Sequence, residues 1–178
     1  MIPGFNERGH LPSGLHKTNI EDFKTRFVDD VPDSETRPEI FSGYKNYCND
    51  LLKLDITMKQ WLDGGFTTNK INPNDLDVVS HVDALKINNN KYTLDQFRRL
   101  FIDKTHSNRV RLNSKYKCDP FAITIYPPGH KYYDFSLRDI KYWSDWFGHD
   151  TRISGKPSKG LIELDLKNVK FKLDDKGV

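Results

Sequence analysis

The sequence predicts an α/β or α+β domain organised around one sheet. Apolar residues recurring at intervals of three and four mark helices, short alternating apolar runs mark strands, and the two kinds of segment interleave along the chain. Gly, Pro and Asn clusters punctuate the boundaries. A length of 178 residues suits a single domain.

Residues 1–17 read as a loop-like arm packed on the domain surface, because Pro3, Gly4, Gly9, Pro12 and Gly14 interrupt both kinds of period. The domain proper is expected over residues 18–178. It opens with a short helix capped by Thr18 or Asn19, with Glu21 and Asp22 in its first turn and Ile20, Phe23 and Phe27 on one face. Val31-Pro32 ends it. Over residues 34–53, Ile40, Phe41, Tyr44, Tyr47, Cys48, Leu51 and Leu52 form the stripe of a core-facing helix. A strand over 56–62 then runs into Asp63-Gly64-Gly65, and a second begins near Asp75 with Leu76, Val78, Val79 and Val82. Asn88-Asn89-Asn90 is turn chemistry, and Thr93-Leu94-Asp95-Gln96 has the spacing that starts a capped helix bearing Phe97, Leu100 and Phe101. A basic, polar stretch over 104–117 leads to a third strand over 121–126, stopped by Pro127-Pro128-Gly129. Leu137, Ile140, Trp143 and Phe147 stripe a helix over 135–147; a loop over 154–160 precedes one or two closing strands over 161–166 and 169–173.

Composition excludes several function classes. Lys and Arg number 28 against 25 Asp and Glu, so a chain that is 30% charged has a net charge of only +3, which does not single out nucleic acid as a partner. With 36% apolar residues the core must be economical, and 11 Phe, 8 Tyr and 3 Trp help to fill it. No apolar run is long enough for a membrane span or an export signal. Cys48 and Cys118 form neither a disulfide framework nor a metal pair and read as small buried hydrophobes, so a reducing cytoplasm is the expected location. His10, His16, His81, His106, His130 and His149 never fall at zinc-ligand spacing.

The chemistry concentrates in LDGGFTTNKINPNDLDVV, residues 62–79. Paired glycines permit a positive φ and let backbone amides approach a phosphate. Asp75 and Asp77, two apart on a strand, present their carboxylates to the same side. Convergent carboxylates facing a phosphate-accepting turn suit Mg²⁺, which takes one or two carboxylates together with substrate phosphate oxygens.

A Gly-Gly pair, nine intervening residues and Asp-hydrophobic-Asp resembles the signature of the DNA polymerase β-type nucleotidyltransferase superfamily. The motif covers about a tenth of the chain. A wider likeness is to a family of small, uncharacterised bacterial and phage proteins assigned to that fold. It is carried by the opening Met-Ile-Pro-Gly-Phe-Asn-Glu-Arg-Gly, by Leu11-Pro12-Ser13-Gly14 and His16, by Asp63-Gly64-Gly65-Phe66-Thr67-Thr68, by Pro73-Asn74-Asp75-Leu76-Asp77, and by Trp146-Phe147 leading into Lys156-Pro157-Ser158-Lys159-Gly160. The resemblance implies a mixed sheet flanked by helices. It also implies transfer of a nucleotide from a nucleoside triphosphate to an acceptor hydroxyl on a protein, an RNA or a small molecule. One or two Mg²⁺ ions are implied, held by Asp75, Asp77 and a third acid on a later strand. Asp119, forty-two positions after Asp77 and just before the third strand, is the expected third ligand and proton acceptor; Asp134 and Glu163 with Asp165 are its rivals. Gly64, Gly65 and Thr67 are expected to contact the β- and γ-phosphates, with Lys70 as a charge partner.

The alternative expectation is a catalytically degenerate module of the same fold that binds a protein partner, as in phage defence, a toxin–antitoxin pair or a phage-encoded regulator. Arg98, Arg99, Lys104, Arg109, Arg111, Lys115 and Lys117 could track a nucleic-acid backbone, although a solvated face is the commoner use of such charges. Residues 148–156 are one residue too long for a phosphate loop, and Pro157 stands where Ser or Thr is required. Trp143 and Trp146 sit on or beside the helical stripe and read as core or a partner-binding edge rather than as a base-stacking platform.

Overall fold

The computed structural model describes residues 2–89, 91–102 and 108–166. The expected strand over 169–173 lies outside them. Five strands, β1 (Gly14–Thr18), β2 (Thr57–Asp63), β3 (Leu76–Asp83), β4 (Cys118–Ile125) and β5 (Gly160–Asp165), form one sheet in the order β1-β5-β2-β3-β4. The sheet is mixed: β1/β5 and β3/β4 pair parallel, β5/β2 and β2/β3 antiparallel. Among the described residues, six α-helices flank it: α1 (Ile20–Lys24), α2 (Arg37–Leu52), α3 (Ala84–Asn88), α4 (Lys91–Leu100), α5 (Arg109–Tyr116) and α6 (Tyr133–Phe147). The expected class, a single domain with a mixed sheet flanked by helices, is borne out.

Local chemistry explains several element ends. Asn19 caps α1, its side chain accepting from the Asp22 amide at 2.7 Å, and the helix continues into one π-turn over Thr25–Asp29. Asp83 caps α3 in the same way, accepting from the amides of Leu85 and Lys86. Lys117, at φ 54°, adopts the left-handed conformation that ends α5 and turns the chain into β4.

Strand alternation divides the core in two. Leu62, Leu76, Val78, Val82, Ile162 and Leu164 face the larger layer, where α1 and α2 supply Phe23, Phe41, Tyr44, Tyr47 and Leu51, and α5 supplies Leu112 and Tyr116. A buried chain of polar groups crosses this layer: Tyr44 donates to Gln60 Oε1 at 2.6 Å, and Gln60 Nε2 donates to Ser80 Oγ at 3.0 Å. Trp61, Val79, Phe121, Ile123 and Leu161 face the other way and are covered by Ile140, Trp143 and Phe147 of α6. One end of that second face is left open, and the candidate site lies there.

Two expectations are corrected. The arm is not all loop: Gly14–Thr18 is an edge strand, paired residue for residue with β5 from Gly14↔Gly160 to Thr18↔Leu164. Strand pairing is a tertiary interaction that the glycine and proline punctuation did not reveal. The helix expected to be capped at Thr93 begins at Lys91, so Thr93 lies inside it. Within the basic stretch, Arg109–Tyr116 is helical, because Leu112 and Tyr116, four apart, bury against the core.

Candidate functional site

Strand register gathers the acids. Asp63 at the end of β2 stands opposite Asp77 of β3, and Asp77 in turn stands opposite Asp119 of β4. Partners in register point to one face, so three neighbouring strands place a row of carboxylates at the same sheet end. Asp75, two residues before Asp77, adds a fourth. The fold therefore brings the expected Asp75, Asp77 and Asp119 together. The rivals lie elsewhere: Asp134 is in the first turn of α6, and Glu163 accepts from Lys59 Nζ at 2.6 Å and from Trp61 Nε1 at 2.9 Å.

Each acid has a different neutralising environment. Lys159 Nζ lies 2.8 and 2.7 Å from the two oxygens of Asp63, and both residues are buried. Asp119 is fully buried and accepts from Arg109 Nη2 and, at 3.1 Å, from Asn113 Nδ2. The same Asn113 amide donates to Asp75 Oδ2 at 3.1 Å, tying the two acids together. Asp77 accepts no hydrogen bond among the described residues. Burial first, and then the charges of Asp63, Asp75 and Asp119, push its carboxyl up to about 7. Burial also takes Asp63 up to about 6 in spite of Lys159, and raises Asp75, with the charge of Asp119 as a second cause.

The glycine turn closes over this row. Gly64 has φ 84° and packs so tightly on Asp77 that an added Cβ would collide with Asp77 Oδ2. A 3₁₀ turn, Gly65–Thr67, follows. Thr67 is buried with its hydroxyl 3.4 Å from Asp63 Oδ1 and from the Gly64 carbonyl, so it braces the turn from behind. Lys70 is exposed on the rim. The loop from Phe66 onward is pinned by Arg37, a fully buried side chain at the start of α2. Its guanidinium donates to the carbonyls of Phe27, Phe66, Thr68, Lys70 and Ile71 at 2.6–3.2 Å.

Together these elements enclose a polar cleft of about 210 Å³. Asp63, Asp75 and Asp77 line it with Gly64 and Gly65; Lys70, Arg152 and Lys159 bring positive charge, and Trp146 stands at its edge. Asp150, a largely buried part of the cleft wall, receives both Arg152, at 2.9 Å, and His10 of the arm, at 3.1 Å. Sequence reasoning passed over Asp63, Lys159, Arg109, Asn113 and Arg37 as site residues. Two signals were available: Asp63 adjoins the glycine pair, and Arg109 and Asn113 are four apart, hence on one helix face. Lys159 lies in the Lys156–Gly160 segment that carries the wider likeness, but its partner Asp63 is remote in sequence; nothing local marked Arg37.

Among the described residues, no group of three His, Cys, Asp or Glu side chains is arranged as a ready-made metal cage. The oxygens of Asp63 and Asp119 already have donors. Asp75 and Asp77 nevertheless fit a hard cation of the Mg²⁺ type, which needs only one or two carboxylates and fills its remaining positions with water and phosphate oxygens. Asp77, crowded by like charges and without a donor, is the group that such a cation would relieve most. Among the described residues, no helix is long and apolar enough to cross a membrane.

Comparison with known proteins gives no link to the nucleotidyltransferase superfamily. No curated protein and no solved structure matches the chain. A family model described as "Family of unknown function (DUF6932)" does match, over residues 3–165, and the chain belongs to that family.

Proposed function

We propose that the acid-lined cleft is a nucleoside-triphosphate site at which Mg²⁺ assists transfer of a nucleotide to an acceptor hydroxyl. The observation that carries this reading is the register Asp63↔Asp77↔Asp119 behind the Gly64–Gly65 turn, with Asp75 beside it. An uncompensated carboxylate within such a row is costly to the fold and is characteristic of sites tuned for a ligand. Free, buried Cys48 and Cys118 suit a reducing cytoplasmic setting.

Asp75 and Asp77, with Asp119 as third candidate, would hold Mg²⁺, which supplies polarisation of phosphate oxygens and neutralises the departing pyrophosphate. Gly64 and Gly65 offer backbone to the β- and γ-phosphates, and Lys70 offers charge from the rim. Thr67 supports the turn. In the transfer, the acceptor oxygen bonds to the α-phosphorus, the α–β phosphoanhydride bond breaks, and pyrophosphate leaves. The hydroxyl proton passes to Asp119, which first has to free an oxygen from Arg109 or Asn113.

That last requirement favours a second reading. Lys159 and Arg109 already sit on two of the four acids, so the cleft could bind nucleotide without transferring it and serve as an interaction module. Titration calorimetry with ATP, GTP, CTP and UTP, with and without Mg²⁺, tests both on wild type and on Asp75→Asn with Asp77→Asn. The proposal requires Mg²⁺-dependent binding that the double variant loses; metal-independent or variant-insensitive binding refutes it. Binding without pyrophosphate release, assayed over candidate protein, RNA and small-molecule acceptors, selects the module.

A further inference from the structure

We infer that Trp146 is the platform on which the base of the bound nucleotide stacks, and that the site therefore prefers purine nucleoside triphosphates. This rests on the reading of the cleft as a triphosphate site.

Packing accounts for only about half of the Trp146 surface. Tryptophan is on average among the more buried residue types, yet Trp146 is 52% exposed. Its neighbours on α6 do the packing: Trp143 lies 4.7 Å from the Phe121 ring and 5.5 Å from Phe147, and Phe147 is 2% exposed. These contacts fasten the end of α6 to the sheet. Trp146 rides on that anchored segment with its indole at the cleft edge. Tyr142 lies nearly parallel to it, 6.2 Å away with 24° between the rings, and steadies it while about half of its surface stays open.

The cleft is too small to enclose a whole nucleotide. About 210 Å³ suffices for phosphates among Gly64, Gly65, Lys70 and Arg152, but it is below the roughly 300–1,000 Å³ of pockets that enclose a whole drug-sized ligand. The nucleoside must extend over the rim. There the large apolar surface belongs to Trp146, and any base can stack on an indole because every base has a π-face. Purines present two fused rings and cover more of it than pyrimidines do.

The test compares Mg²⁺ complexes of ATP, GTP, CTP, UTP and inorganic tripolyphosphate on wild type, Trp146→Ala and Trp146→Phe by calorimetry. Wild type is expected to hold ATP and GTP roughly 5–150-fold more tightly than tripolyphosphate, the range that base–aromatic stacking covers, with a smaller gain for CTP and UTP. Trp146→Ala should bring all four nucleotides to the tripolyphosphate level, Trp146→Phe should restore most of the gain, and tripolyphosphate itself should bind all three proteins alike. Unchanged ATP binding by Trp146→Ala, equal affinity for purines and pyrimidines, or a parallel loss of tripolyphosphate each overturns the inference. If tripolyphosphate binds but nucleotides gain nothing over it, stacking alone fails. If neither binds wild type, the triphosphate reading fails and the inference falls with it.

Discussion

Asp63 and Asp77 face one another across the β2–β3 ladder, yet Lys159 sits on both oxygens of Asp63, while Asp77 accepts no hydrogen bond among the described residues. The unmatched member has its carboxyl pushed up to about 7, by burial and then by the charges of Asp63, Asp75 and Asp119. The folded chain therefore holds the Asp77 proton more tightly than the unfolded chain, whose carboxyl loses it near the ordinary value of 3.8. Between these values the native state binds more protons, so this group's contribution to stability falls as pH rises from about 4 to about 7.

Asp77→Asn should accordingly stabilise the protein. The gain is expected to be absent below about pH 4, to grow through the window and to level off above about pH 7 at ~2–4 kcal/mol. Urea denaturation at pH 4, 6 and 8 measures it. Adding Mg²⁺ should stabilise wild type more than the variant, which keeps Asp75 but has lost the carboxylate of Asp77. A variant less stable than wild type at pH 8 would show that Asp77 has a compensating partner.

Lys159→Met should do the opposite. It removes the ammonium from a buried pair and leaves the Asp63 carboxylate unpaired, a loss of ~3–5 kcal/mol at pH 8. At pH 5, below the value of about 6 to which burial raises Asp63, the carboxyl is largely protonated and the loss should shrink. The double variant Asp63→Asn with Lys159→Met should recover much of the stability. A loss equal at both pH values, or not recovered by the second change, would argue that Lys159 acts by packing alone.

Elements with their own periodicity are legible in the amino-acid sequence. The stripe of Ile40, Phe41, Tyr44, Tyr47, Cys48 and Leu51 faces the core along α2, and Leu76, Val78 and Val82 do so along β3. The pair Asp75 and Asp77 is legible because strand geometry alone puts residues i and i+2 on one side. Asp119 can be nominated from its place before a strand, but only the β3/β4 register decides between it and Asp134 or Glu163. Asp63–Lys159 joins residues 96 positions apart, and Arg37 reaches carbonyls up to 34 positions away. Such contacts depend on how elements pack and leave no periodic trace. The edge strand β1 escapes a reading by pattern for the same reason: its hydrogen bonds go to β5, at the far end of the described chain.

The two glycines of the turn should differ in tolerance. Gly64 has φ 84° and backs onto Asp77 Oδ2, so Gly64→Ala strains the backbone and displaces the carboxylate, at a cost of ~1–3 kcal/mol and with loss of Mg²⁺-dependent nucleotide binding. A Cβ at Gly65 would meet only Lys70 Cδ at 3.4 Å and Pro73 Cβ at 3.6 Å, ordinary contact distances. Gly65→Ala should fold nearly as well as wild type, within about 1 kcal/mol, and any drop in nucleotide affinity would then report phosphate approach to its backbone. Thermal melts and calorimetry on both variants decide the matter. Equal damage from both would mean that the turn needs two glycines for its own geometry.

Arg37 should control the order of the loop behind the cleft. Its charge has no carboxylate partner among the described residues and is met instead by the carbonyls of Phe27, Phe66, Thr68, Lys70 and Ile71. Burial lowers its pKa to about 10, which still leaves it protonated at neutral pH. Lysine keeps the charge but concentrates three donors on one nitrogen, so it cannot serve carbonyls spread around a planar fork. Arg37→Lys is therefore expected to lose ~2–4 kcal/mol, since several charge-assisted bonds in a buried site go unmade. Hydrogen exchange should accelerate most at the amides of residues 66–71, the segment the guanidinium holds. Nucleotide affinity should weaken through that loop while its Mg²⁺ dependence is retained, because Asp75 and Asp77 are untouched. Exchange that rises evenly over the whole chain would instead assign Arg37 to general stability, with no particular hold on the turn that closes the cleft.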